Sequence, residues 1–310
     1  MDKARCLVPE LGANALADFF NVALQVVHNS ATHDSKQALT TFLRVVAFLP
    51  LWLLHAAGAA LGWLSFAASP TYRRRFLGNA AQAGFDARQV RRAIGEAGKL
   101  VAEIPRLWFG RPPRTEWRDA GLVERYLAQG RGIVFLTPHL GCFEVTAQAY
   151  AARFGPITVL YRPARKPWLR ELVATARLRP NLAVAPTTLA GVKQMLKALQ
   201  AGQAVGLLPD QVPPQGLGVW APFFGRPAYT MTLSARLAQQ TGAAVLLAWG
   251  ERLSWGRGYR VHLRPWPGEL PRDADEAAAQ VNREMEALIR ACPGQYLWGY
   301  ARYKPPREAR

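Results

Sequence analysis

His139 and Glu144 are the pair of side chains whose types and setting point most directly to chemistry. They lie in GIVFLTPHLGCFEVTAQAYA, residues 132 to 151. Apolar side chains crowd IVFLT on both faces, Pro138 and Gly141 break the run, and a helix-compatible segment starts near Phe143. On one helix a spacing of five would set the two side chains roughly 140° apart. With a turn between them, His139 stands at the end of a buried strand and Glu144 in the first helical turn. An imidazole there can withdraw a proton from an alcohol, and a carboxylate beside it can fix the tautomer and stabilise the imidazolium. The plainer alternative is a loop-capping His139, with Glu144 complementing the positive end of the helix.

Positioning such a pair requires a sheet. Beyond RPPR (residues 111 to 114), short apolar runs alternate with helical stretches. GIVFLT, PITVLY, LAVAP, AVGLLP, AAVLLAW and YRVHLRP read as strands. FEVTAQAYAARF, PWLRELVATARL, LAGVKQMLKALQ and TLSARLAQQT read as helices. Together they predict an α/β fold with a mainly parallel sheet flanked by helices, in which functional groups gather at the carboxyl ends of strands. Asp86 is expected to cap a helix whose apolar stripe runs Val90, Ile94, Ala97, Val101, Ile104, Trp108. DADEAAAQVNREMEALIRACP predicts a closing helix that starts near Asp273 or Asp275 and stops at Pro293.

From Val45 to Tyr72 no Asp, Glu, Lys or Arg interrupts the chain, and LWLLHAAGAALGWLSFAA starts directly after Pro50. That is long enough for a membrane helix, and the region 38–72 is expected to anchor the protein. A buried helix of a soluble protein is the competing reading, since His55 and many Ala and Gly dilute the apolar character. Arg73, Arg74 and Arg75 follow at once and predict a cytoplasmic end there. The expected organisation is an accessory extension over 1–37, the anchor, and a catalytic domain over 73–304 made of a helical entry (73–128) and an α/β core (129–304), with a short tail.

The 39 Lys and Arg against 21 Asp and Glu, a net charge of +18, predict attraction to phosphates, an anionic membrane surface or an acidic carrier protein. No zinc-ligand spacing, RNP-like motif or basic zipper helix points to nucleic acid. The odd trio Cys6, Cys142 and Cys292 reads as reduced thiols.

HLGCFE resembles the H-x-x-x-x-(D/E) block of the glycerolipid acyltransferase superfamily, and more closely the HLGNWE of the lipid A late acyltransferases. Further blocks agree in order: YRP at 161–163, RLRPN at 177–181, PDQ at 209–211, FFGRPAYT at 223–230 and PGQYLWGYARYK at 293–304. The resemblance covers about residues 38 to 304. It implies transfer of an acyl group from an acyl carrier protein thioester (or acyl-CoA) to a hydroxyl of a lipid A precursor at the bacterial inner membrane, catalytic domain facing the cytoplasm, without cofactor or metal. By the same resemblance His139 is the general base, Glu144 its orienting partner, and Arg177 and Asp210 match positions tied to activity and substrate binding. Arg162 is a further candidate of that kind. Arginine would hold phosphate or a developing oxyanion, and aspartate would steady that arginine or accept from a sugar hydroxyl.

Departures from the family pattern raise alternatives. Cys142 and Phe143 replace Asn and Trp, and Cys142 admits a covalent acyl-enzyme route. WGYARYK lacks a His and one Arg of the usual WLHRRFK, leaving Arg302 and Lys304. A different lysolipid acceptor is therefore a second reading, and a non-catalytic membrane binding protein a third. Phe223, Phe224 and Gly225 read as an apolar wall and a tight turn.

Overall fold

The computed structural model of the chain describes residues 33–161 and 179–308. Among them, helices α1 (His33–Val46), α2 (Leu51–Ala68), α3 (Pro70–Gln82), α4 (Arg91–Ala102) and α5 (Ile104–Phe109) precede the sheet. Strand β1 (Thr115–Arg118), α6 (Gly121–Ala128), β2 (Ile133–Leu136), α7 (Phe143–Arg153), β3 (Ile157–Tyr161) and β4 (Leu182–Pro186) follow. Then come α8 (Leu189–Gln200), β5 (Ala204–Leu207), β6 (Gly218–Phe223), β7 (Arg226–Met231), α9 (Leu233–Thr241), β8 (Ala244–Arg252), β9 (Tyr259–Pro265) and α10 (Ala274–Ala291).

Seven strands form one sheet in the order β1-β9-β8-β2-β5-β3-β4, parallel throughout except for the β8–β9 pair. β2 sits at its centre, and all four of its residues are buried. This explains why its sequence is apolar without alternation: Val134 and Leu136 enter the core on one face while Ile133 and Phe135 enter the core on the other. The six strands expected from sequence are all present. The α/β class and its mainly parallel sheet follow.

Three strands were not expected. β1 is a four-residue edge strand, TEWR, too short and polar to announce itself. β6 and β7 form a separate antiparallel pair, with Phe223 opposite Arg226. Their two-residue turn, Phe224 and Gly225, has φ of 46° and 74°, the positive values that a tight hairpin demands and that Asn-Gly usually supplies. Phe224 is held there because its N–H donates to Glu286 Oε1 at 2.6 Å and its carbonyl accepts from Gln82 Nε2 at 2.8 Å. Phe223 and Phe224 belong to the core cluster.

The helix expected after Asp86 divides. The Asp86 carboxylate accepts from the backbone N–H of Arg88 and Gln89, capping only a turn. The helix proper starts at Arg91 and gives way at Glu103 to α5, whose early Pro105 lacks the N–H to continue the ladder. The closing helix begins as expected, with Asp273 accepting from Asp275 N and Glu276 N. α2 is 18 residues long and apolar enough to cross a membrane, and it lays Leu54, His55, Gly58 and Gly62 against the domain.

Candidate active site

The register of the sheet builds the site. β2 and β5 are parallel neighbours with Leu136 opposite Leu207. The third residue beyond each is His139 and Asp210, so two side chains far apart in sequence leave the sheet at the same height. His139 Nδ1 lies 2.7 Å from Asp210 Oδ1, and the His139 backbone N–H donates to Asp210 Oδ2 at 2.8 Å. One carboxylate thus fixes both the ring and the peptide that carries it. Gln211 Nε2 lies 2.9 Å from His139 Nε2, and the Phe143 ring packs edge-on against the imidazole at 5.0 Å.

The orienting carboxylate is therefore Asp210, where sequence pointed to Glu144. Each oxygen of Asp210 accepts one hydrogen bond from His139. The reason is geometric. After His139 the chain takes Gly141 through φ 59° and bridges Gly250 before α7 begins. A Cβ on Gly141 would collide with the Gly250 carbonyl oxygen, so this turn is built around glycine. Glu144 then stands half-buried in the first turn of α7. Arg162 and Arg177 lie outside the described residues, as does all of PWLRELVATARL. Arg179 of the same block closes α5, donating to the carbonyls of Leu107, Trp108 and Gly110.

Asp210 is 2 % exposed. Burial pushes its carboxyl up, but the His139 charge and the two hydrogen bonds from that residue outweigh this and hold it below the ordinary value. As a carboxylate it can only accept, so Nδ1 carries the proton and Nε2 presents a lone pair. Nε2 is the atom a substrate hydroxyl would have to reach, displacing the Gln211 amide.

The carboxyl-terminal block closes over the turn. Gly141 N–H donates to Gln295 O at 3.0 Å, Leu297 N–H donates to His139 O at 3.1 Å, and Leu140 bridges Tyr296. Burial, and after it the Asp210 charge, push the buried Tyr296 hydroxyl well above its usual value. Arg302 is not a surface clamp: it is 2 % exposed and donates to Tyr229 O, Thr230 Oγ1 and Asn282 Oδ1.

Cys142 is fully buried. Burial, with Glu103 next in effect, drives its thiol well above the usual range, so the nucleophilic thiolate is disfavoured. Cys142→Ala should leave kcat within about threefold, because a buried free cysteine serves as a small hydrophobe. Loss of turnover in that variant would restore the covalent route.

Next to Phe143, an apolar cavity lies between α7 and the sheet. Thr137 and Phe143 lie at the His139 end, and Trp117, Tyr150 and Ile157 are among its further walls. Phe223 and Phe224 do not line it. Gln211 and Tyr296 were not singled out from sequence, although both stand in the quoted blocks. Gln211 directly follows Asp210 beyond the carboxyl end of β5, where the sheet rule directs attention.

Comparison with known proteins gives the same direction throughout. The family model described as bacterial lipid A biosynthesis acyltransferase matches residues 35–305. The chain is 30 % identical over 212 residues, 67 % of this chain and 68 % of the relative, to the lipid A biosynthesis palmitoleoyltransferase of Escherichia coli (strain K12). It is 32 % identical over 213 residues, 67 % and 69 % of the two chains, to the lauroyltransferase of lipid A biosynthesis in the same organism. To the corresponding myristoyltransferase it is 22 % identical over 189 residues, 60 % of this chain and 58 % of the relative.

Proposed function

Since the chain belongs to the bacterial lipid A biosynthesis acyltransferase family and is an acyltransferase, we propose that it moves a fatty acyl chain from an acyl carrier protein thioester to a hydroxyl of a lipid A precursor. The observation that carries the reading is the His139–Asp210 pair, whose imidazole packs against Phe143, a wall residue of the neighbouring apolar cavity.

His139 Nε2 takes the acceptor hydroxyl proton as the oxygen attacks the thioester carbonyl. Asp210 holds the ring and stabilises the imidazolium that forms. The tetrahedral oxyanion is stabilised by the amino-terminal end of α7, which starts four residues after His139. On collapse the C–S bond breaks, and the departing sulfur takes the proton from Nε2, leaving an ester and a free thiol. No metal or cofactor takes part. Arg162 and Arg177 are assigned to substrate binding on the family resemblance, and Glu144 is kept as an acidic group in the first turn of α7.

The donor chain is placed in the cavity beside α7. Ala147 lines that cavity. Ala147→Phe should shift donor preference toward shorter chains, by about tenfold or more per methylene, since one methylene in an apolar pocket is worth about 10-fold to 200-fold. An unchanged chain profile would remove the chain from this cavity.

The catalytic domain is placed at the cytoplasmic face of the inner membrane, where the arginines 73 to 75 and the +18 charge favour anionic lipid and an acidic carrier protein. Burial of Arg302 favours a second acceptor reading, a lysophospholipid or aminolipid, because that arginine cannot serve as a phosphate clamp. Mass spectrometry of lipid extracts from cells with and without the protein decides: a missing acyl mass on lipid A supports the first reading, and a change confined to phospholipids or aminolipids supports the second.

A further inference from the structure

The packing of α2 points to how the protein meets its membrane. The helix touches the domain along its length. Its Trp52 backbone abuts Gly256, its His55 Nε2 lies 3.1 Å from the buried Glu103 Oε2, and Phe66 packs edge-on against Phe76 at 5.5 Å. Between these points Gly58 and Gly62 let α2 and α4 approach closely. A Cβ on Gly58 would lie 2.7 Å from the Lys99 Cα, and one on Gly62 would collide with the Ile94 carbonyl oxygen.

A helix so attached cannot stand across a bilayer by itself; it would carry α4 into the hydrocarbon. The outer positions of α4 are Arg91 and Arg92, both exposed, with half-buried Lys99 paired to Glu96 at 2.8 Å. Charges of that kind are excluded from lipid tails. The opposite stripe of α2 is different in kind: Trp52, Leu53, Leu61 and Leu64 are exposed there and no charge interrupts them. Phe48, 75 % exposed, extends this surface before the helix, and Trp255, 89 % exposed, joins it from the turn that abuts Trp52.

We propose that α2 lies along a single leaflet with its axis near the membrane plane, so that Phe48, the outer stripe of α2 and Trp255 sit in the acyl region while Arg73, Arg74 and Arg75 meet anionic headgroups. Both ends of α2 are then on the same, cytoplasmic side. The occupant is lipid rather than protein because the surface is an unbroken apolar strip edged by tryptophans and followed directly by three arginines on a chain of net charge +18. Trp255 lies three residues beyond the end of β8, the strand whose Gly250 bridges the active-site turn at Gly141. The seat and the His139 crevice therefore lie at the same, carboxyl end of the parallel neighbours β8 and β2, and a lipid acceptor reaches the site without leaving its leaflet. This seating concerns topology and stands or falls independently of the chemistry assigned to His139.

The test uses the full chain with Cys6 and Cys292 replaced by alanine and a single new cysteine, either Arg44→Cys or Thr71→Cys, at exposed positions on the two sides of α2. A membrane-impermeant maleimide is applied to spheroplasts and to inverted inner-membrane vesicles. Both variants should label at least tenfold more in inverted vesicles than in spheroplasts. Arg44→Cys labelled in spheroplasts and shielded in inverted vesicles would mean that α2 spans, overturning the proposal. Flotation of the full chain with vesicles of mixed anionic and zwitterionic phospholipid is the second measurement. Trp255→Glu, whose side chain is almost free of the fold, should reduce the floated fraction several-fold, and Trp52→Glu with Leu64→Glu should reduce it at least tenfold. Unchanged flotation in all variants would overturn the lipid seat, as would a dimer that the double variant converts to monomer while flotation is retained.

Discussion

Replacing His139 by alanine should lower kcat for acyl transfer by about 10²–10⁴, the usual contribution of a positioned general base, while KM for donor and acceptor changes little. The side chain is 14 % exposed and stands at the crevice rather than in the core, so the variant should unfold as cooperatively as the parent. Both conditions matter. The rate loss must come from the proton that Nε2 no longer accepts, with binding and fold intact. Steady-state kinetics with acyl carrier protein thioester and a lipid A precursor, run beside a denaturation curve, measure both. Near wild-type kcat in His139→Ala would remove the imidazole from the chemistry.

The largest expected effect on stability lies one layer beneath the site. Arg252, 2 % exposed, donates through Nε and Nη2 to Glu103 at 2.9 Å and 2.6 Å and through Nη1 to Glu96 at 3.4 Å. Glu103 also accepts from the Tyr259 hydroxyl at 2.8 Å and contacts His55 of α2. Gln295 completes the knot: its Oε1 accepts from Arg252 N–H and its Nε2 donates to Arg252 O, while its backbone carbonyl holds Gly141. Helix α2 and the turn that carries His139 are thus fastened to one buried charge cluster. Arg252→Ala would leave the buried Glu103 carboxylate without its guanidinium partner, while Glu96 keeps Lys99, and should destabilise by about 3–5 kcal/mol.

Its pH dependence has a definite sign. Burial acts to raise the Glu103 carboxyl, but Arg252 and His55 together hold it at about 2, below its ordinary 4.5. Glu103 therefore contributes stability that is fully present above the ordinary carboxylate value and is lost as pH falls toward 2. Without Arg252 the buried carboxyl moves upward and tolerates protonation. The stability gap between parent and Arg252→Ala should accordingly narrow from pH 7 to about pH 3. Denaturant unfolding at several pH values reads it, and a gap that widened on acidification would contradict the pairing.

The parallel sheet was legible because each of its buried strands is a short apolar run bounded by turn residues. β2 is the clearest instance. The site was legible at His139, from a strand that stops at Pro138, and sequence paired it with Glu144 whereas its hydrogen-bonded carboxylate is Asp210, for a physical reason. Glu144 is near in sequence, but the nearness of Asp210 exists only after β2 and β5 pair in register. The family resemblance marked Asp210 without giving the role that the geometry gives it. His55 looked like a blemish on an apolar helix, and its meaning depends on Glu103, 48 residues away. The burial of Arg302 was not legible, since nothing local reveals the cage of Tyr229, Thr230 and Asn282 that holds it. The hairpin of β6 and β7 was obscured because its turn places Phe224 where asparagine is usual.

The most direct measurement is kcat of Asp210→Asn with His139 in place. An amide at that position no longer demands the proton on Nδ1, so the imidazole loses the tautomer in which Nε2 can accept from the acceptor hydroxyl. A fall of about 10²–10⁴ in kcat, with KM and cooperative unfolding preserved, is predicted. Turnover within a few-fold of the parent enzyme would show that Asp210 does not hold the base, and the mechanism built on that contact would be wrong.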